Sequence, residues 1–262
     1  MNHVIKSTIF TGIFFFISMF LPYYGESSPT QAPQNTSKNL SDQEVNERIQ
    51  FINSSLKTGE TGSRIWYWSF LGLYSAGTIT QLSLYFAAPS IEPVDLVKRE
   101  HFRQDMMMGT ITTAIGVLSL AISPMPSMYA RNAIESMPDD TMEDRIAKLK
   151  KSEKLLAESS KWEKESNSLL MHGLNFGLNL SAGLIIWLAF HRTIIDGLVT
   201  FAPGFLIGEI QLFTQPTKAV KDWNNYENKY SQNQASYLPQ KNNDNLWHLA
   251  VAPGGLMIVR QF

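Results

Sequence analysis

The side chains best placed for chemistry are a carboxylate and an imidazole inside apolar sequence. Ser168, His172, Asn175 and Asn179 follow one another at steps of four, three and four, one side of an α-helix. Glu209 lies inside the next apolar stretch. If the chain turns back near 191–192, His172 precedes the turn by about as many residues as Glu209 follows it. At about 1.5 Å per residue the two then sit level within a few ångströms, with Asn175 close by. An intramembrane carboxylate is expensive, and its default reading is functional with a named partner. A carboxylate beside an imidazole can hand on a proton or hold a solute. The same pair can be a structural hydrogen bond that fixes helix register. Glu209 is only about a turn from its helix end, where water lowers the cost. The spacing leaves both roles open.

A second constellation is His191-Arg192-Thr193-Ile194-Ile195-Asp196. This H-x4-D spacing resembles the motif of the glycerolipid acyltransferases. The resemblance implies His191 as a general base oriented by Asp196. It covers six residues, Phe190 stands where the family usually has asparagine, and the downstream glycine-rich phosphate-binding motif is missing. The alternative reading makes these residues the turn between two helices. Nucleotide-binding loops, zincin motifs and serine-hydrolase elbows do not occur. The five histidines lack metal-ligand spacing, so neither a metal nor another cofactor is expected. Cysteine is absent, which excludes disulfides, thiolate metal sites and lipidation at a cysteine.

The elements that must position these residues are apolar helices. Charged residues are only 17% of 262, and segments 65–91, 106–130 and 166–190 contain none. Segment 193–217 has only Asp196 and Glu209. Soluble surface helices keep a polar face, whereas these stretches lack charge on every face for about seven turns. Trp66–Ala88, Met106–Ser123, Leu169–Phe190 and Ile194–Phe213 are therefore read as four membrane spans, each near the length of about 20 residues that a bilayer needs. A mean hydropathy of −0.12 leaves a soluble bundle as the competing reading. Trp66, Tyr67 and Trp68 are placed as anchors at the membrane interface. The short link at 191–193 makes the last two spans an antiparallel hairpin. Gly72 with Ala76, Gly173 with Gly177, and Gly204 with Gly208 are small-xxx-small pairs, which let helix backbones approach closely in lipid.

The flanking segments complete the reading. Residues 1–27 read as a signal peptide, with an apolar core from Ile9 to Leu21 and small residues after Pro22. Residues 28–63 read as a polar linker followed by an amphipathic helix. Ser41 and Glu44 should form its capping box, Val45, Ile49, Ile52 and Leu56 its apolar face, and Gly59 and Gly62 its end. Segment 124–168 reads as a charged helical loop between the second and third spans. Residues 218–262 read as an interfacial helix with Ala219, Trp223, Tyr226 and Tyr230 on one face, an Asn/Gln-rich linker, and a β-hairpin turning at Pro253-Gly254-Gly255.

The fold expected is thus an all-α membrane protein: a four-helix transmembrane bundle with amphipathic extramembrane helices and a short C-terminal β-hairpin. The expected setting is a bacterial-type inner membrane with both termini periplasmic. The eight Lys/Arg of 124–168 against three in 89–105 oppose that orientation by the positive-inside rule. A net charge of −1 gives no field for nucleic acid. The expected partners are membrane lipid and a second copy or another envelope protein. A structural or interaction role leads, a small transporter or channel subunit follows, and an enzyme at His191/Asp196 comes third.

Overall fold

A computed structural model describes residues 40–88, 95–230, 247–252 and 255–260. The signal segment 1–27, the linker 28–39 and most of the Asn/Gln-rich stretch lie outside the described residues. The chain divides into two units at Asn224/Asn225.

The first helix, α1, runs without interruption from Asp42 to Ala87. Ser41 caps it by accepting the Glu44 N–H at 3.2 Å. Glu44's own carboxylate turns to Arg48 at 2.6 Å. The expected stop at Gly59 and Gly62 does not occur, so the amphipathic helix and the first apolar stretch are one element. The reason is phase. Val45, Ile49, Ile52, Leu56, Ser63 and Tyr67 are all buried on one continuous stripe. Each glycine costs a helix roughly 1 kcal/mol, and tertiary burial on both sides outweighs it.

Helix α2, Leu96–Ile122, starts ten residues earlier than its charge-free part, with Asp95 accepting the Val97 N–H. It runs back along the second half of α1. Tyr67 donates to the Leu120 carbonyl at 3.1 Å, Thr78 to Thr113 at 2.9 Å, and Arg103 to the Tyr85 hydroxyl at 3.2 Å. A 3-10 turn at Pro126–Met128 and a short helix α3, Ala130–Glu135, lead to α4, Met142–Ser166, whose capping box joins Thr141 and Asp144. Helix α4 lies parallel to the first half of α1. Arg145 pairs with Asp42 at 2.8 Å, and further along Trp162 meets Trp66 edge-on. Val45, Ile52, Ile134 and Leu156 fill the space between these elements at 0% exposure. The charged loop is thus one wall of a helical stalk.

Helices α5, Leu169–Leu184 with a π-turn at Ile185–Ala189, and α6, Ile194–Phe213, form the hairpin expected from the short link. Helix α7 follows at Lys218–Tyr230. In the second unit, the Tyr226 and Tyr230 rings pack 4.9 Å apart.

Among the described residues, three helical runs are long and apolar enough to cross a membrane: Leu96–Ile122, Leu169–Ala189 and the run beginning at Ile194. Their large apolar side chains turn outward, Val199 at 67% exposure and Leu206 at 57% among them. The second half of α1 is not in that set. Tyr74, Thr78 and Gln81 make it more polar, and all three face the bundle.

Glycines set the closest helix approaches. A Cβ on Gly183 would stand 2.6 Å from the Gly197 carbonyl oxygen, and one on Gly197 would stand 2.7 Å from the Gly183 oxygen. Gly72, by contrast, has nothing within 4 Å of a Cβ. Gly183→Ala should therefore force α5 and α6 apart and lower stability by about 1–3 kcal/mol, the usual cost of overpacking. Gly72→Ala should leave stability unchanged or slightly raised, because alanine is the better helix former. Denaturant titration of the detergent-solubilised protein measures both.

Candidate functional site

The polar cluster forms where the α5–α6 hairpin brings its two arms level. His172 Nδ1 lies 2.7 Å from Glu209 Oε2. The Asn175 amide donates to Glu209 Oε1 at 2.9 Å and to the Phe205 carbonyl at 3.1 Å. Asn179 donates in turn to the side-chain and main-chain oxygens of Asn175, both at 2.9 Å. Both carboxylate oxygens of Glu209 therefore have partners on the neighbouring helix. The Phe213 ring packs against the imidazole at 5.0 Å between centroids. Glu209 and His172 side chains remain 15% and 21% exposed.

Two glycines make the cluster possible. A Cβ on Gly208 would fall 2.0 Å from Asn175 Oδ1, and one on Gly204 would fall 2.1 Å from Asn179 Oδ1. Each asparagine of α5 thus occupies a notch that a glycine of α6 leaves open. The Gly204/Gly208 pair receives side chains here, and the direct backbone approach is made by Gly183 and Gly197.

The other sequence-derived residues sit elsewhere. Ser168 is the N-cap of α5 with no side-chain capping bond. Its carbonyl accepts the His172 N–H at 3.3 Å, and its hydroxyl does not join the cluster. Gly173 is exposed with nothing within 4 Å of a Cβ, as Gly72 is, and Ala76 is exposed as well. The Gly177 carbonyl accepts the Ser181 hydroxyl within α5. Trp66 and Tyr67 are 8% and 6% exposed, and the Trp66 indole donates to the Gln211 carbonyl. They anchor helices to one another, whereas Trp68 is 56% exposed and free to meet an interface.

His191 and Asp196 do not form a dyad. His191 sits exposed in a left-handed turn at φ 55°, a conformation that, glycine apart, histidine adopts more readily than most residues, as asparagine and aspartate do. Asp196 Oδ2 accepts from Thr193 in the α6 capping box, and Oδ1 accepts from Arg192 at 2.9 Å. Arg192, 7% exposed along its side chain, also pairs with Asp105 and ties the hairpin to α2. These are turn and interface residues. No group of three or more metal-binding side chains occurs among the described residues.

A second polar seam escaped the sequence reading. Tyr74, Thr78, Gln81 and Tyr85 repeat at i, i+4, i+7 and i+11 along α1. Tyr74 donates to Gln211 at 2.6 Å, Thr78 to Thr113, and Thr113 to Gln81 at 3.2 Å. Gly116 and Gly109 of α2 leave room for the Tyr74 ring and the Gln81 amide, as Gly208 and Gly204 do for the asparagines. The helical period of those four polar residues was the available signal.

No family model matches the chain, and no curated protein or solved structure matches it significantly.

Removing Glu209 should leave His172 without its carboxylate partner and Asn175 with only the Phe205 carbonyl as acceptor. Glu209→Leu is expected to destabilise by about 1–3 kcal/mol, the usual cost of leaving a buried polar group unpaired. A double-mutant cycle with His172→Phe should show a coupling of about 0.5–2 kcal/mol, the range for hydrogen bonds between membrane helices. Additive effects would mean that the two side chains do not interact.

Proposed function

We propose that this chain is a non-catalytic integral membrane protein of a bacterial-type cell envelope, with a structural or interaction role. In this reading a bundle of four spans carries a charged helical stalk. The observation that carries it is the closure of the Glu209 cluster. Both carboxylate oxygens are occupied by His172 and Asn175, which suits a clasp between α5 and α6 better than a binding site. The three long apolar helices support membrane residence. The second half of α1 is the fourth span, supported by its antiparallel course along α2. Its partners are lipid and either a second copy or another envelope protein.

Residues 1–27 act as a signal peptide and direct the stalk to the periplasmic side, with both termini there. Residues 247–260 act as a hairpin; the pairing of Trp247 with Arg260 and of Ala252 with Gly255 supports it. A lone hairpin is marginal in water, so it suits a partner that offers an edge or surface.

A second reading, an oligomeric transporter or channel subunit, is favoured by the residual exposure of Glu209 and His172. Flux distinguishes them. In proteoliposomes the clasp reading expects proton and small-ion leak to be equal for the wild type and Glu209→Gln. Leak abolished by that change would establish the transport reading instead.

Orientation is tested by reporter fusions at Arg145 and in the 191–193 turn. The proposed topology expects an export-dependent reporter to be active at 145 and inactive at the turn. The reverse pattern would show that the Lys/Arg excess of the stalk decides orientation.

A further inference from the structure

Glu163, near the end of α4, has a role that neither the bundle nor the stalk core requires. It is 1% exposed, and its carboxylate points at the start of α7. Oε2 accepts the Val220 N–H at 3.2 Å, and the Ala219 N–H also bonds it. These are among the first N–H groups of a helix, which lack intrahelical acceptors. Gln215, 5% exposed, lies at the same corner with its amide toward the Glu163 carbonyl at 3.5 Å. The neighbouring residue, Trp162, donates to Ser123 at 2.9 Å and packs on Trp66. One end of α4 therefore holds both the foot of α2 and the head of α7.

We propose that Glu163 is a proton-controlled latch, whose protonation state sets how firmly the first turns of α7, residues 218–224, stay docked on α4. The segment matters because it joins residues 225–262 to the rest of the chain. The charged groups acting on the carboxyl are Asp222 and Lys218, both from α7. Asp222 is 8% exposed and neutralised by Lys218 at 2.6 Å. Burial pushes the Glu163 carboxyl from 4.5 up to about 7, Asp222 adds to the rise, and the two backbone N–H groups and Lys218 oppose it.

The sign follows from linkage. When α7 lifts off, Glu163 meets water and returns toward an ordinary carboxyl value. The docked state then binds the proton more tightly. Docking is firmest at low pH and weakens as pH rises through about 7, with no further loss above it. Between about 4.5 and 7 the docked-to-released ratio should fall by up to tenfold per pH unit.

The chain has no cysteine, so Lys221→Cys on the exposed face of α7 accepts one nitroxide label cleanly. Its spectrum in the full-length protein in lipid is read from pH 5 to pH 8. The wild-type background should lose its immobilised component as pH rises, whereas Glu163→Gln should keep it throughout, because glutamine accepts the same N–H bonds without ionising. Glu163→Leu should give a mobile label at every pH, with unchanged helix content as the folding control. A flat wild-type profile, the same pH response in Glu163→Gln, or an immobilised label in Glu163→Leu would each overturn the proposal.

Discussion

A charge or amide placed on an apolar helix has to find its hydrogen bonds inside the protein, and that constraint organises the α5–α6 hairpin. Glu209 satisfies both oxygens on α5, through His172 and Asn175. Asn179 extends the chain of donors by one more turn. In lipid, the hydrophobic effect does not push helices together. Such bonds, with close packing, are what hold them in register. The cluster fixes the axial position of α6 against α5, and Gly183 with Gly197 fixes their separation near the turn.

The α1–α2 pair answers the same constraint by the same means. Tyr74 and Gln81 project from α1 into spaces that Gly116 and Gly109 of α2 keep open, Thr78 donates to Thr113, and Gln211 links this seam to α6. At the far end Arg192 joins the hairpin to Asp105 of α2. The bundle is therefore tied at both ends by polar contacts, with glycine opposite a polar side chain at Gly109, Gly116, Gly204 and Gly208, and glycine opposite glycine at Gly183 and Gly197. At its other end α1 continues into the stalk, where ordinary apolar burial between α1 and α4 takes over.

Much of this was legible in the residue pattern. The steps of four, three and four from Ser168 to Asn179, with the hairpin length, placed Glu209 level with His172, and the two touch. Two of the three long apolar helices, Leu96–Ile122 and Leu169–Ala189, follow from charge-free stretches; the third begins at Ile194 in the stretch that holds Asp196 and Glu209, and the charge-free stretch 65–91 is not among them. Ser168 belonged to the same periodic face but sits at the helix start, where its hydroxyl has left the cluster. Small-xxx-small spacing showed where backbones can approach without showing which face of a helix is covered. Gly72 with Ala76 faces outward, and Gly77 of the same helix meets Thr113 instead. Gly59 and Gly62 looked like a helix end because propensity is local, while the burial that carries α1 through them is tertiary. Trp66 and Tyr67 had the composition of an interface belt, yet carbonyls of α6 and α2 receive their donors. The H-x4-D spacing was real, but Asp196 is held by Thr193 and Arg192, so the motif lacks its geometry. The Glu163 corner joins residues more than fifty positions apart, which a local pattern does not reveal.

The proposed clasp joins Glu209 to His172 within one hairpin. Solid-state nuclear magnetic resonance of 15N-histidine-labelled protein in lipid bilayers addresses it most directly. The Nδ1 signal of His172 should carry the signature of a short hydrogen bond to a carboxylate, and this signature should disappear in Glu209→Leu while the other histidines keep their shifts. A His172 signal with the character of a freely hydrated imidazole, unmoved by loss of Glu209, would contradict it.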